Sequence, residues 1–257
     1  MTEIVWGNFT QEELDRNYDQ SSLVPNVGEL MEQNAADSAR IREELEVIED
    51  VSYGPTVLER LDIFPVSQKG APVAIYHHGG AWTRSDKAQC SYAAPGLVAA
   101  GVNVLVLDFA LAPNVSLDEI VRQNRAAIAW TWHNADKYGW DRNRIHSIGH
   151  SSGGHICGMM QVTDWEGVYG LPADIIKSAA PCSGMYELEP VRFSHRNTYL
   201  DLRAAADHGV GHRRTGRIPA PEPRIRRRLG SRRPQGRYVY PGRPEPFRGR
   251  ARNVQSG

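Results

Sequence analysis

Cysteine is scarce in this chain: three in 257 residues, Cys90, Cys157 and Cys182, with no C-x-x-C spacing. That is too few and too scattered for a disulfide framework or a cysteine metal centre, and a reducing, cytoplasmic setting is the expectation. Long apolar runs are also missing. None approaches the roughly 20 residues that a bilayer-spanning helix needs, so no membrane association is expected. The start, Met1 to Asp15, is acidic and has no basic stretch leading into a greasy one, so a secretory leader is not expected either. Lysine disappears altogether beyond residue 200. What remains is an ordinary globular balance, with 40% apolar and 23% charged residues.

A formal net charge of zero hides a split. Residues 1–200 carry 15 Lys and Arg against 26 Asp and Glu, and residues 201–257 carry 15 Arg against 4 acids, Asp201, Asp207, Glu222 and Glu245. The last 57 residues also hold 8 Gly and 7 Pro and show no helical or strand period. Such a composition does not bury a core, so the folded part is expected before residue 201. Three regions follow: a helical N-terminal segment over 1–50, a core over 51–200, and an Arg/Pro/Gly-rich tail over 201–257.

Within the first 200 residues, helices are predicted over 11–16 and 27–48, a strand over 57–64, a short buried strand over 73–76 and a helix over 93–100 closed by Gly101. A second apolar strand spans 102–107 and ends at Asp108. Ser116-Leu117-Asp118-Glu119 is a capping box opening a helix to about Tyr138, with Gly139 as its stop. A strand over 144–148, a helix to about Val162 and a strand over 175–181 complete the series. Short apolar strands alternating with helices imply an α/β fold with a mostly parallel sheet covered on both faces, here expected to be incomplete at its C-terminal edge. Sites in such sheets form at the carboxyl ends of the strands. Three strands here end in chemically loaded residues: His78-Gly79-Gly80, Asp108 and Ser151.

Gly149-His150-Ser151-Ser152-Gly153 fits G-x-S-x-G between a strand and a helix. A sharp turn there exposes a serine hydroxyl, the flanking glycines let strand and helix come close, and the Ser152 N–H stands at a helix N-terminus where it can stabilise an oxyanion. His78-Gly79-Gly80-Ala81-Trp82 follows another strand about 70 residues earlier. Its paired glycines let backbone N–H groups face a ligand, as the second half of an oxyanion hole requires.

With these motifs the chain resembles the α/β-hydrolases, and within them the arylformamidase (kynurenine formamidase) and small esterase group, whose oxyanion signature is HGGxW. Further resemblance lies in Asp108-Phe109-Ala110-Leu111-Ala112-Pro113, Tyr138-Gly139-Trp140-Asp141, Gly153-Gly154-His155 and Ser183-Gly184-Met185-Tyr186-Glu187-Leu188-Glu189-Pro190. The match covers about residues 10–200. It implies Ser151 as nucleophile, Gly79, Gly80 and Ser152 as oxyanion donors, and His78 and Trp82 as residues shaping the oxyanion loop. Gly149, His150 and Gly153 support the serine's turn. The implied substrate is a small-molecule ester or formamide, with no metal or organic cofactor. The oligomeric state is not legible.

In this fold an acid and then a histidine follow the serine, each after a later strand. His155 lies one turn into the helix after Ser151 and is expected to pack there. His195, His208 and His212, with Asp201, Asp207 and Glu222, lack a preceding apolar strand, and none is assigned a role. His77 and His150 read as local hydrogen-bonding residues, Cys157 as a small core residue, and Asp108 precedes the serine. Two alternatives stand beside the hydrolase. One is an incompetent, truncated or frameshifted homologue, since Arg, Pro, Gly and Ala are what a GC-rich gene yields out of frame. The other, less favoured, is nucleic-acid binding through the cluster Arg224, Arg226, Arg227 and Arg228.

Overall fold

The computed structural model describes residues 3–194 and 225–226. The chain begins with a two-stranded hairpin, β1 (Ile4–Trp6) and β2 (Phe9–Thr10). Helix α1 (Gln11–Tyr18) follows, and its Thr10 cap exchanges hydrogen bonds with Glu13 in a complete capping box. The Gln11 side chain donates to the Phe193 carbonyl at 2.8 Å, tying this segment to α8 (Leu188–Phe193).

Helix α2 (Val27–Glu44) stops earlier than the pattern suggests, and β3 (Val47–Ser52) takes up the residues after it. Leu45 and Ile48 fit a helical face as well as a strand, and pairing with β4 (Arg60–Phe64) decides between them. The expected strand at 57–64 keeps only its second half. Thr56 and Leu58 accept backbone hydrogen bonds in a turn, which leaves Val57 and Leu58 exposed.

The central sheet is built on β5 (Ala71–His77), β6 (Asn103–Leu107), β7 (Trp140–His150) and β8 (Ile176–Cys182), all parallel, in the order β8-β7-β5-β6. β4 joins β6 antiparallel and β3 joins β4 antiparallel. A two-residue strand, β9 (Ile225–Arg226), pairs with β3 in a region where no strand period is legible. The parallel connections run through α3 (Pro95–Ala99), through α4 (Leu117–His133) with α5 (Ala135–Tyr138), and through α6 (Ser152–Gln161) with α7 (Trp165–Tyr169).

Alternation along the buried strands divides the core. Val104 and Val106 face a cluster with Ile41, Phe64 and Tyr76 on the side of α2 and α3, and Leu105 and Leu107 face Ile63, Ile75, Ile120 and Ile128 on the side of α4 and α6. Helix α4 starts at the Ser116 cap, whose hydroxyl accepts from the Glu119 N–H at 3.2 Å. The return bond of a capping box is absent, because the Glu119 carboxylate binds Arg122 and Gln123 instead. The helix breaks at Asn134, whose side chain donates to the Trp130 carbonyl, and Gly139 (φ 79°) closes α5.

Candidate active site

Ser151 sits between β7 and α6 with φ 56° and ψ −125°, a conformation that costs roughly 1–3 kcal/mol for a residue with a side chain. The surroundings hold it there. Its N–H donates to the Cys182 carbonyl of β8 at 2.9 Å, and its own carbonyl accepts from Gly154 at 2.8 Å. The glycines of the turn are required by close approach. A Cβ on Gly153 would stand 2.0 Å from the His77 carbonyl oxygen, and one on Gly149 would stand 2.0 Å from the Gly153 carbonyl oxygen. Gly154 has the same relation to the Cys182 carbonyl, at 2.7 Å.

The loop after β5 lies against this turn. A Cβ on Gly79 would meet the Ser151 Cβ at 3.2 Å and the His150 carbonyl oxygen at 2.8 Å. Gly80, Ala81 and Trp82 follow in a run of positive φ (105°, 52° and 61°), the first natural for glycine and the other two strained. Two contacts fix the run. The Trp82 N–H donates to the Ser152 hydroxyl at 3.2 Å, and the buried Trp82 indole packs edge-on against His155, ring centroids 5.4 Å apart. The side chain of Ser152 thus stitches the two turns together, whereas the motif pointed only to its N–H as an oxyanion donor.

The buried histidines are neutral. His78 stacks on Phe109 at 4.1 Å, and its Nδ1 lies 2.8 Å from the Gly79 carbonyl, which only accepts, so the proton is on Nδ1. His77 lies 2.7 Å from the Asn124 amide oxygen and 3.0 Å from the Ser147 hydroxyl. Burial lowers His77, His78 and His155 to about 4 each. His155 packs as expected. His150, by contrast, is exposed beside Ser151. The histidines and acids at 195, 201, 207, 208, 212 and 222 lie outside the described residues, as does the arginine cluster apart from the backbone of Arg226.

A charge network, not legible from any motif, anchors the far end of the same loop. Asp62 of β4 is fully buried and pairs with Arg42 of α2 and, at 3.2 Å, with Lys87. Lys87 also reaches Asp50 at 2.8 Å, and its backbone N–H donates to Asp108 at 2.6 Å. Asp108 directly follows β6, and desolvation by burial raises it to about 6 despite those donors. Asp108 is therefore tied to the loop.

Between the loop and α2 lies a cleft of about 360 Å³ lined by Met31, Asn34, Gly79, Gly80, Arg84, Ser85, Gln89, Cys90, Tyr92, His150 and Ser151. The motif residues Gly79, Gly80, His150 and Ser151 share its wall. His78, Trp82, Ser152 and the glycines 149 and 153 stand behind it as support. The contribution of α2 was not foreseen, because Met31 and Asn34 carry no pattern linking them to the serine.

A mostly parallel sheet wound with helices on both faces, two antiparallel strands beside it and a strained serine turn at the carboxyl end of one strand fit the α/β-hydrolase fold. Comparison with known proteins agrees. Residues 61–170 match the BD-FAE family model. Kynurenine formamidase of Danio rerio is 28% identical over 205 residues, covering 77% of this chain and 68% of that protein. Esterase LipC of Mycobacterium tuberculosis is 36% identical over a shorter stretch, 44% of this chain and 29% of that protein. A solved structure from Silicibacter sp. TM1040, provisionally described as a thioesterase, superposes with a TM-score of 0.66 at 26% identity, covering 76% of this chain and 72% of that one. The chain has the α/β-hydrolase fold and is similar to kynurenine formamidases and esterases, which supports a hydrolase enzyme. Among the described residues no helix is long and apolar enough to cross a membrane.

Proposed function

We propose that this hydrolase cleaves an aryl formamide or a small carboxylic ester by acyl transfer to Ser151. The Ser151 Oγ attacks the carbonyl carbon, the amine or alcohol departs with a proton, and water then releases the acid from the acyl-enzyme. The N–H groups of Gly79, Gly80 and Ser152 receive the oxyanion. The observation that carries this reading is the strained Ser151 turn with Gly79 pressed against it: a side chain at 79 would fill the space beside the serine Cβ. The Ser152 N–H, first in α6, has no intrahelical acceptor and stays available. The Trp82 N–H is already spent on the Ser152 hydroxyl and is not counted among the donors.

We assign none of the buried histidines as the proton acceptor. His77, His78 and His155 each hold their place by packing, and their low basicity suits a structural imidazole. The kinship with kynurenine formamidase supports the formamide alternative, and the kinship with esterase LipC supports the ester. The test is labelling by a fluorophosphonate together with hydrolysis of formanilide and phenyl acetate. Labelling at Ser151, and a loss of about 10³-fold or more in Ser151→Ala, are expected. Unlabelled but folded protein, or activity surviving in Ser151→Ala, would refute the assignment.

A further inference from the structure

We propose that Arg84 selects substrates bearing a single carboxylate group, an inference that rests on the acyl-transfer reading of the same cleft. Residues 1–200 carry 26 acidic against 15 basic side chains, yet the residues lining the cleft include no carboxylate and one guanidinium. A wall without carboxylates on an acidic body repels an anion less than its surroundings do, although Asp86 and Asp108 lie close behind Cys90. Arg84 is placed by the oxyanion loop itself. Its N–H donates to the Gly80 carbonyl at 3.2 Å, and its Cγ would lie 2.9 Å from a Cβ on Gly80, so the side chain leaves the backbone along Gly80.

The other cations near this loop are engaged. Arg42 is held by Asp62 and Glu49, and Lys87 by Asp50 and Asp62. Among the described residues Arg84 makes no ion pair, so its planar fork of donors is open to a planar acceptor. Asn34 and Gln89 line the same cleft and offer amide donors beside it. One guanidinium balances one negative charge, which matches a monocarboxylate; a phosphate monoester, close to doubly charged, would leave charge unneutralised.

The test uses pairs of substrates that differ only in the charge: phenyl hemisuccinate against phenyl butyrate, and 3-carboxyphenyl acetate against phenyl acetate. The wild-type chain is expected to favour the carboxylate member of at least one pair in kcat/KM, chiefly through KM. In Arg84→Gln that ratio falls about tenfold, and Arg84→Lys keeps part of it. Raising the salt concentration lowers the wild-type ratio towards that of Arg84→Gln. A ratio unchanged by Arg84→Gln in both pairs overturns the inference while leaving Ser151 chemistry intact. Failure of the underlying reading looks different: no member of either pair is turned over in a Ser151-dependent way. Binding then decides. Calorimetric titration of the Ser151→Ala chain with 3-carboxyphenyl acetate should show uptake that Arg84→Gln weakens about tenfold, and equal affinity with and without Arg84 overturns the inference.

Discussion

Two turns meet at Ser151 and are held in unlike ways. The turn after β7 is held by what it lacks. Gly149, Gly153 and Gly154 leave room for backbone carbonyls that would otherwise sit 2.0–2.7 Å from a Cβ. The loop after β5 is held by what it carries: the Trp82 indole at one end and the Lys87 ammonium at the other, the latter among Asp50, Asp62 and Asp108. Volume governs the first and charge the second. The turn should therefore fail on an added methyl, and the loop, with close-packed glycines of its own at 79 and 80, should fail on the loss of a charge as well.

The sharpest way to break the contrast is at Gly153. Its Cβ would enter the space of the His77 and His78 carbonyl oxygens, both backbone and unable to yield. Gly153→Ala is expected to cost about 4 kcal/mol or more, read by chemical denaturation or by loss of folded protein. A variant within 1 kcal/mol of wild type would show that the turn is looser than its contacts imply.

The loop is probed at Asp62. Asp62→Asn removes the charge shared by Arg42 and Lys87 while nearly preserving shape. Because Glu49 and Asp50 still compensate the two cations in part, the expected loss is about 3 kcal/mol, the low end for breaking a buried pair. A double-mutant cycle with Arg42→Met separates this from a packing defect, since the loss of a shared charge pair is non-additive.

Acid brings the histidines behind both turns into play. His77, His78 and His155 stand near 4 in the folded chain against about 6.5 when unfolded. Between those values the unfolded chain binds protons that the folded chain refuses, so stability falls as pH drops from 6.5 towards 4. From pH 7 to pH 5 a loss of about 5 kcal/mol from the three together is expected in equilibrium unfolding, offset in part by Asp108. His155→Phe, which keeps the edge contact with Trp82 and removes one titrating ring, should shrink it by about a third.

Asp108 works against this trend and supplies the smallest effect. Its folded value of about 6 lies above the ordinary 3.8, so between them the folded chain holds a proton that the unfolded chain has released. Its contribution therefore declines as pH rises through that window. Asp108→Asn keeps an acceptor for the Lys87 N–H, and it should stabilise the chain by about 1 kcal/mol at pH 7 and by nothing near pH 4. Equal effects at both pH values would place the cause elsewhere.

Several elements were legible because their signals are local. Ser116 and Glu119 mark the start of α4, Gly139 its end, and the apolar runs at 73–76 and 102–107 the two strands that flank the centre of the sheet. The paired motifs around Ser151 and Gly79 were legible for the same reason. Others were not. Val47–Ser52 reads equally well as the tail of α2, and only its register with β4 makes it a strand. Val57 and Leu58 look like strand residues and are exposed in a turn. Asp50, Asp62, Lys87 and Asp108 are spread over nearly sixty residues with no spacing to connect them. Their meeting depends on β4 lying beside β6, and strand order is set by packing of the whole sheet.

Taken alone, the sequence settled the alternation of strands and helices and the two glycine-marked turns, because backbone angle and close approach are properties of a few consecutive residues. Tertiary structure alone decided that β4 and β3 run antiparallel beside a parallel core, that three histidines are neutral, and that Arg42 and Lys87 share Asp62 while Arg84 faces the cleft. Burial and charge pairing are relations between distant parts of the chain, and they take their values only once the sheet has brought those parts together.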